Sequence, residues 1–293
     1  RDTDRSRGLG DVYKRQEAPR VAKSALPGQF IILRIDEKGE RIPLTISDYD
    51  AEKGTVSIVT QAVGKSTMEL MTYEEGDSIA DFVGPLGCPS DLCSETPEEL
   101  SKKNIIFVAG GVGAAPIYPQ VKWLKQHGIK SDVLIGARNK DLLILVDEMK
   151  EVAENVYIAT DDGTAGFAGR ATDLLEDLVK NQGKEYNHAV VIGPMIMMKF
   201  TSMTTKALGI PTIVSLNPIM VDGTGMCGAC RVVVDGEVKF ACVDGPEFDG
   251  HKVDYDGAMR RQTMYKTEEG QAKLKFEEGS THKNGGCGCG GDK

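Results

Sequence analysis

The chain has 293 residues, 40% of them hydrophobic and 27% charged, enough to bury two domain cores with room for a small appendage. Its 44 acidic against 35 basic residues leave a net charge of -9, which excludes nucleic-acid binding through a general basic surface, and it has no apolar run of about 18 residues to cross a membrane as a helix. The 34 glycines exceed the usual share of the residue that lets backbone approach a phosphate.

Residues 1–16, RDTDRSRGLGDVYKRQ, begin with Arg1 and resemble translated adapter sequence, so they read as non-native and a native N-terminal strand is expected to be missing. No signal-peptide pattern follows, and the expected compartment is the cytoplasm. Across 17–100 the short apolar runs FIILRI, TVSIV and SIADFV alternate with the turn sequences DEKGE, DAEKG and EEGD, which predicts a small antiparallel β-barrel or sandwich. There Arg41, Pro43, Leu44 and Thr45 put a cation and a hydroxyl on a strand whose proline confines it to an edge or a distorted position. Gly64, Lys65, Ser66 and Thr67 precede a predicted helix start, a place where backbone donors can face a phosphate.

From 101 to 219, strand-like IIFVAG, VLIGA, VYIAT, AVVIG and TIVSL alternate with helical stretches, which predicts an α/β domain with a parallel sheet covered on both faces. The first strand runs into Gly110, Gly111, Val112, Gly113, Ala114, Ala115 and Pro116 and then a helix, the arrangement that aims free N–H groups at a pyrophosphate. Pro116 stands where the third glycine of G-x-G-x-x-G would be, and a tight turn without a ligand is the plain alternative. The second strand ends in Gly136, Ala137, Arg138, Asn139 and Lys140, with no acid to meet a ribose 2′-hydroxyl, so NAD and NADP both stay open. Asp161, Asp162 and Gly163 end the third strand, and Gly193, Pro194 and Met195 the fourth, at the sheet edge where ligands bind.

Seven cysteines, three crowded between Cys227 and Cys242, point to metal ligation over a disulfide framework. In the segment 220–252, Asp222, Cys227, Cys230 and Cys242 offer a carboxylate and three soft thiolates, a donor set for a 2Fe-2S cluster. Gly223, Gly225 and Gly228 let the loop wrap inorganic sulfides. A Cys3His zinc site using His251 is the competing arrangement. The DG pair in RVVVDGEVKFACV predicts a hairpin. Cys88 and Cys93 are expected in loop or core without a ligand role. The polar extension 253–293 ends in HKNGGCGCGGDK, where the last dozen residues are expected to be flexible and Cys287 and Cys289 are assigned no function.

Together these segments resemble the ferredoxin reductase superfamily. The resemblance implies that Arg41 meets the FAD pyrophosphate, that Pro43, Leu44 and Thr45 line the flavin, and that the amides of residues 64–67 cover the phosphates; Leu44 stands where many members have Ser or Thr. The cysteine segment is similar to that of the electron-transfer subunits of dihydroorotate dehydrogenase, with Asp222 in the place of the first cysteine. With that substitution and with GARNKDLL, TDDGT and CGCGG, the chain is identified as a member of the small (alpha) subunits of NADH-dependent ferredoxin:NADP oxidoreductases, also called sulfide dehydrogenases. The resemblance covers about residue 27 to the C-terminus. It implies an oxidoreductase that passes electrons between NAD(H), with NADP(H) open, and a 2Fe-2S cluster through FAD. It also implies a heterodimer with a larger flavin and 4Fe-4S subunit like the glutamate synthase small subunit, which in turn reaches ferredoxin. An electron-transfer subunit of dihydroorotate dehydrogenase is the near alternative, and a metal-stabilised nucleotide-binding regulatory module is the alternative of another class.

Overall fold

Short strands rich in β-branched residues build the first region of the computed structural model, which describes residues 5–6 and 11–284. The strands β1 (Arg5–Ser6), β2 (Asp11–Glu17), β3 (Phe30–Arg34), β4 (Ile42–Asp50), β5 (Thr55–Gln61) and β6 (Asp81–Leu86) form an antiparallel sheet in the order β1-β2-β5-β4-β3-β6. With α1 (Pro19–Ser24) and α2 (Lys65–Leu70), it buries Ile31, Leu33, Ile46, Val56 and Ile58. The last strand lies further along the chain than SIADFV, and residues set aside as non-native take part in the sheet. β2 pairs with β5 over its whole length, from Asp11 opposite Gln61 to Glu17 opposite Thr55, where a missing strand was expected.

Pro43 explains itself through register. Although β4 is interior in the strand order, Ile42 to Thr45 pair only with β3, and β5 joins at Ile46, with a register shift before Asp48. The proline therefore sits where one side of the strand has no neighbour and no ladder donor is missed.

The second region comprises α3 (Pro97–Ser101), β7 (Ile105–Gly110), α4 (Ala114–Gln126), β8 (Ser131–Ala137), α5 (Val146–Val152), β9 (Asn155–Thr160), β10 (Phe167–Ala168), α6 (Ala171–Lys180), β11 (His188–Ile192), α7 (Met195–Ala207) and β12 (Thr212–Ser215). All of β7 is buried, because helices cover both of its faces: Phe107 packs with Leu124 and Met149 on one side, Val108 with Leu174 and Met198 on the other.

The third region adds the hairpin β13 (Arg231–Val234) and β14 (Glu237–Phe240), then β15 (Glu247–Asp249), α8 (Tyr255–Gln262) and α9 (Lys266–Asn284). Asp235 and Gly236 both take positive φ, 54° and 77°, as the DG signal predicts. β15 joins the parallel sheet antiparallel to β12, giving the order β10-β9-β8-β7-β11-β12-β15, and Cys230, Val232 and Cys242 enter the same core as Val108. The extension read as merely polar is helical through Asn284, opened by Asp254, whose carboxylate accepts from Gly257 N at 2.9 Å. Among the described residues no helix is long and apolar enough to cross a membrane. Cys287 and Cys289, and most of the C-terminal segment expected to be flexible, lie outside the described residues.

Candidate functional site

The strand order reverses beside β7, with β8 to β10 on one side and β11 and β12 on the other, and ligands of open parallel sheets bind at such a switch point. Glycines let the two loops there touch backbone to backbone. A Cβ on Gly113 would lie 2.2 Å from Ile192 O, and one on Gly193 would lie 3.0 Å from Gly110 Cα. Gly111 is different: open space surrounds it, and its φ of +53° is what calls for glycine. The turn Gly111–Gly113 feeds α4, with Pro116 in the first turn, where no backbone donor is needed.

Over these loops opens a cleft of about 470 Å³ between the antiparallel sheet and the nucleotide-type domain. Phe30, Pro43, Leu44, Thr45, Val59 and Gln61 form one wall, and Val112, Gly113, Ala115, Pro116, Gly193 and Pro194 face them. Asn217, Pro218, Met220 and Pro246 close the end nearest the third region. Pro43, Leu44 and Thr45 come from the part of β4 that lacks a second strand neighbour, so the cleft opens onto unpaired strand edge. Lys122 Nζ of α4 donates to Asp48 Oδ1 of β4 at 2.7 Å across the two walls, and Gln120 Nε2 of α4 donates to Glu247 Oε1 of β15 at 2.7 Å, tying α4 to the third region. Burial pushes the Glu247 carboxyl up to about 7, against the pull of its Ser90 and Gln120 hydrogen bonds.

Several predicted residues stand elsewhere. Arg41 does not line the cleft: its Nε donates to Val221 O at 2.8 Å and its Nη1 lies 3.5 Å from Asp81 Oδ2, so its charge is taken up beside the cysteine loop. At residues 64–67, Thr67 Oγ1 accepts from Val63 N and Gly64 N, Lys65 pairs with Glu69, and the buried Ser66 Oγ has no hydrogen-bond partner among the described residues. Gly110, Gly111, Ala114 and Met195 flank the cleft without forming its wall. Arg138 lies exposed past the end of β8, where Asp161 N and Asp162 N donate to the carbonyls of Ala137 and Arg138 at 3.0 and 3.2 Å, with Gly163 next in line. The Thr164 hydroxyl and amide hold the Asp162 carboxyl below its ordinary range. These residues stand past the carboxyl ends of β8 and β9, the strands next to β7 in the sheet.

The cysteine loop leaves the cleft at Met220 and returns to it at Pro246. Asp222 accepts from Thr224 N at 3.0 Å and from Cys227 N at 2.9 Å, bonds that hold its carboxyl below the usual range. Cys230 and Cys242 are buried as free thiols with their sulfurs 3.2 Å apart, and burial, then the Cys230 contact, pushes Cys242 up to about 12. Cys227 is exposed, its sulfur accepting from Ala229 N at 3.5 Å. The donors thus stand as two pairs, Asp222 with Cys227 and Cys230 with Cys242, and among the described residues no three of them surround one point. Two donors per iron suit a binuclear iron-sulfur centre, so the donor chemistry fits that group. A single zinc ion would need its donors gathered at one point, whereas among the described residues no three His, Cys, Asp or Glu side chains are so grouped, and His251 Nε2 bonds Thr205 Oγ1 at 3.1 Å. A Cβ on Gly223, at φ +78°, would lie 2.7 Å from Leu86 Cδ1 and 2.8 Å from Ile32 Cδ1, which seats the loop on the antiparallel sheet. Asp222 lies two residues beyond Met220 and Cys242 four before Pro246, so chain reach alone keeps both within about 14 Å of the cleft.

Sequence reasoning missed Phe30, Val59, Gln61, Asn217, Pro218, Met220 and Pro246. Only the Asn217-Pro218 pair carries a local signal, that of a turn.

Two families match parts of the chain: the oxidoreductase NAD-binding domain over residues 107–203, and the iron-sulfur cluster binding domain of dihydroorotate dehydrogenase B over 217–254. A protein of Clostridium beijerinckii, described as an uncharacterized protein in the adh 3′ region, is 71% identical, with 94% of each chain covered. A Thermotoga maritima homolog of the electron transfer subunit of dihydroorotate dehydrogenase B (NAD(+)) is 48% identical, over 89% of this chain and 88% of its own. A solved structure of an NADH-dependent reduced ferredoxin-NADP oxidoreductase, studied for flavin-based electron bifurcation, aligns with a TM-score of 0.85 at 44% identity, covering 94% of this chain and 96% of that one.

Proposed function

Since the chain belongs to the family of dihydroorotate dehydrogenase B electron-transfer subunits and their homologues, we propose which of its residues carry the electrons. It is an oxidoreductase electron-transfer subunit that uses NAD(H), FAD and a 2Fe-2S cluster. The chemistry supplied by the bound groups is hydride exchange between nicotinamide and flavin, followed by single-electron passage through the cluster. The observation that carries the residue assignment is the cleft whose end wall is also the stem of the cysteine loop.

In this reading the unpaired edge of β4, at Pro43, Leu44 and Thr45, holds the flavin ring, and Gly113, Gly193 and Pro194 leave room for a nicotinamide against it. The amides of residues 110–113 and the start of α4 face the pyrophosphate, while Arg138, Asp161, Asp162 and Gly163 border the adenosine end. Residues 64–67 cover the FAD phosphates. Asp222, Cys227, Cys230 and Cys242 ligate iron.

The partner is a larger catalytic subunit. We assign it as a cytoplasmic flavin and 4Fe-4S protein of the glutamate synthase small-subunit type, through which ferredoxin is reached; Asp222 in a cysteine's place favours this over a dihydroorotate-oxidising partner. Met226, 90% exposed at the loop tip, with Val221 and Val243, gives the partner apolar surface beside the donors. Protein purified anaerobically with its native companion is expected to contain flavin, iron and acid-labile sulfide, and its visible bands are expected to bleach with NADH. Colourless, iron-free protein from that preparation would overturn the assignment, and orotate formation by the complex would replace the partner named here.

A further inference from the structure

Arg261 lies on α8, beyond the 217–254 segment that matches the iron-sulfur domain. Its Nη2 donates to Ala229 O at 3.2 Å and to Gly228 O at 3.4 Å, the two carbonyls between Cys227 and Cys230. The Nε atom of the same guanidinium is buried with no hydrogen-bond partner among the described residues, and Arg261 forms no ion pair there. Arg261 lines a cavity of about 270 Å³ together with Cys227, Gly228, Ala229 and Arg231. A half-buried cation held by two long carbonyl contacts, with an orphaned N–H, lacks its counter-charge. Asp254 lines a second cavity with Arg261 but makes no ion pair with it among the described residues, and on the Cys227 side the charge would come from the anionic assembly that Asp222 and the three thiolates would make with iron and sulfide.

We propose that Arg261 is a positioning residue for the cluster, holding the turn between Cys227 and Cys230 and setting the cluster's reduction potential through its charge. The inference rests on the ligand assignment above. A cluster bound there would gain one negative charge on one-electron reduction, and a fixed cation beside it would favour that reduced form. Arg261 thereby tilts the electron's distribution toward the cluster.

The test uses the full chain, purified anaerobically with its companion subunit, as wild type, R261K and R261M. Iron and labile sulfide are quantified, and the cluster is titrated by electron paramagnetic resonance against a series of redox mediators. At the potential where the wild-type cluster is half reduced, R261M is expected to lower the reduced-to-oxidised ratio by roughly fivefold to tenfold, the size of one nearby charge in a partly solvated site, and R261K by no more than about twofold. A coincident R261M titration at full iron content overturns the inference, as does an R261K shift equal to that of R261M, which would assign the effect to packing. Should R261M lose iron, R261K alone decides: coincidence with wild type supports the role of charge, and a fivefold shift overturns it. Wild-type protein without iron overturns the ligand assignment itself, a result distinct from any of these.

Discussion

The loop after β7 and the loop between Met220 and Cys242 both depend on glycine, yet they solve opposite problems. In the first, Gly110, Gly113 and Gly193 are held against other backbone, and no side chain has to do chemistry, because phosphate recognition is a task for N–H groups. In the second, Gly223, Gly225 and Gly228 take positive φ, and the bends they make leave Asp222 beside Cys227 and Cys230 beside Cys242. The nucleotide loop is therefore shaped before any ligand arrives. The cysteine loop has its donors in two pairs, kept in place by hydrogen bonds that a metal centre can supplement. Rigidity follows from what does the binding.

The sharpest way to break this contrast is Gly113→Ala. Its methyl group meets Ile192 O, so the variant is expected to lose about 3 kcal/mol of stability in chemical denaturation and its bleaching by NADH, while iron content stays at wild-type level. Full NADH bleaching would show that the loop is looser than its packing implies.

A second effect belongs to the joint between the regions. Glu247 has its folded pKa raised, to about 7 from 4.5, so between those values the folded state binds more protons than the unfolded one and stability falls as pH rises. Glu247→Gln is expected to remove that slope, on the order of 2 kcal/mol after allowance for the residue's partial solvent contact. Parallel pH-stability curves for the two proteins would refute it.

Arg41→Ala tests whether the arginine serves the cysteine loop, as its bond to Val221 O indicates, or the flavin. The expected loss is about 1 kcal/mol, with iron released faster to a chelator and flavin content unchanged after desalting. Flavin loss with iron intact would reverse the assignment. The smallest effect on stability is expected from Asp222→Cys, which should keep the cluster and lower its potential, because a thiolate gives iron more charge than a carboxylate does. An unmoved redox titration would remove Asp222 from the ligand set.

What could be read from the residues alone follows the same contrast. Fully buried parallel strands such as β7 read as unbroken apolar runs, and the glycine turn and cysteine spacing are local, so both loops were legible. The cleft's far wall was not. Pro246 and Asn217 become neighbours of Pro43 only after the third region folds back onto the sheet, and the partners of Arg41 are Val221, far along the chain, and Asp81 on β6, two strands away in the sequence. α9 escaped notice because KTEEGQAKLKFEEGSTHKN has good helix formers but no apolar stripe to set a period. Residues 11–16 were discounted as non-native, and β5 pairs with them regardless.

The stretch of β4 that pairs on one side only has a bearing on how this protein must be made. A strand flank without a neighbour is a template for another chain's strand, and a flavin held there as proposed would shield it. Riboflavin supply during expression should then govern the yield of monodisperse material, with vitamin-starved cultures giving sheet-rich aggregates from the same transcript.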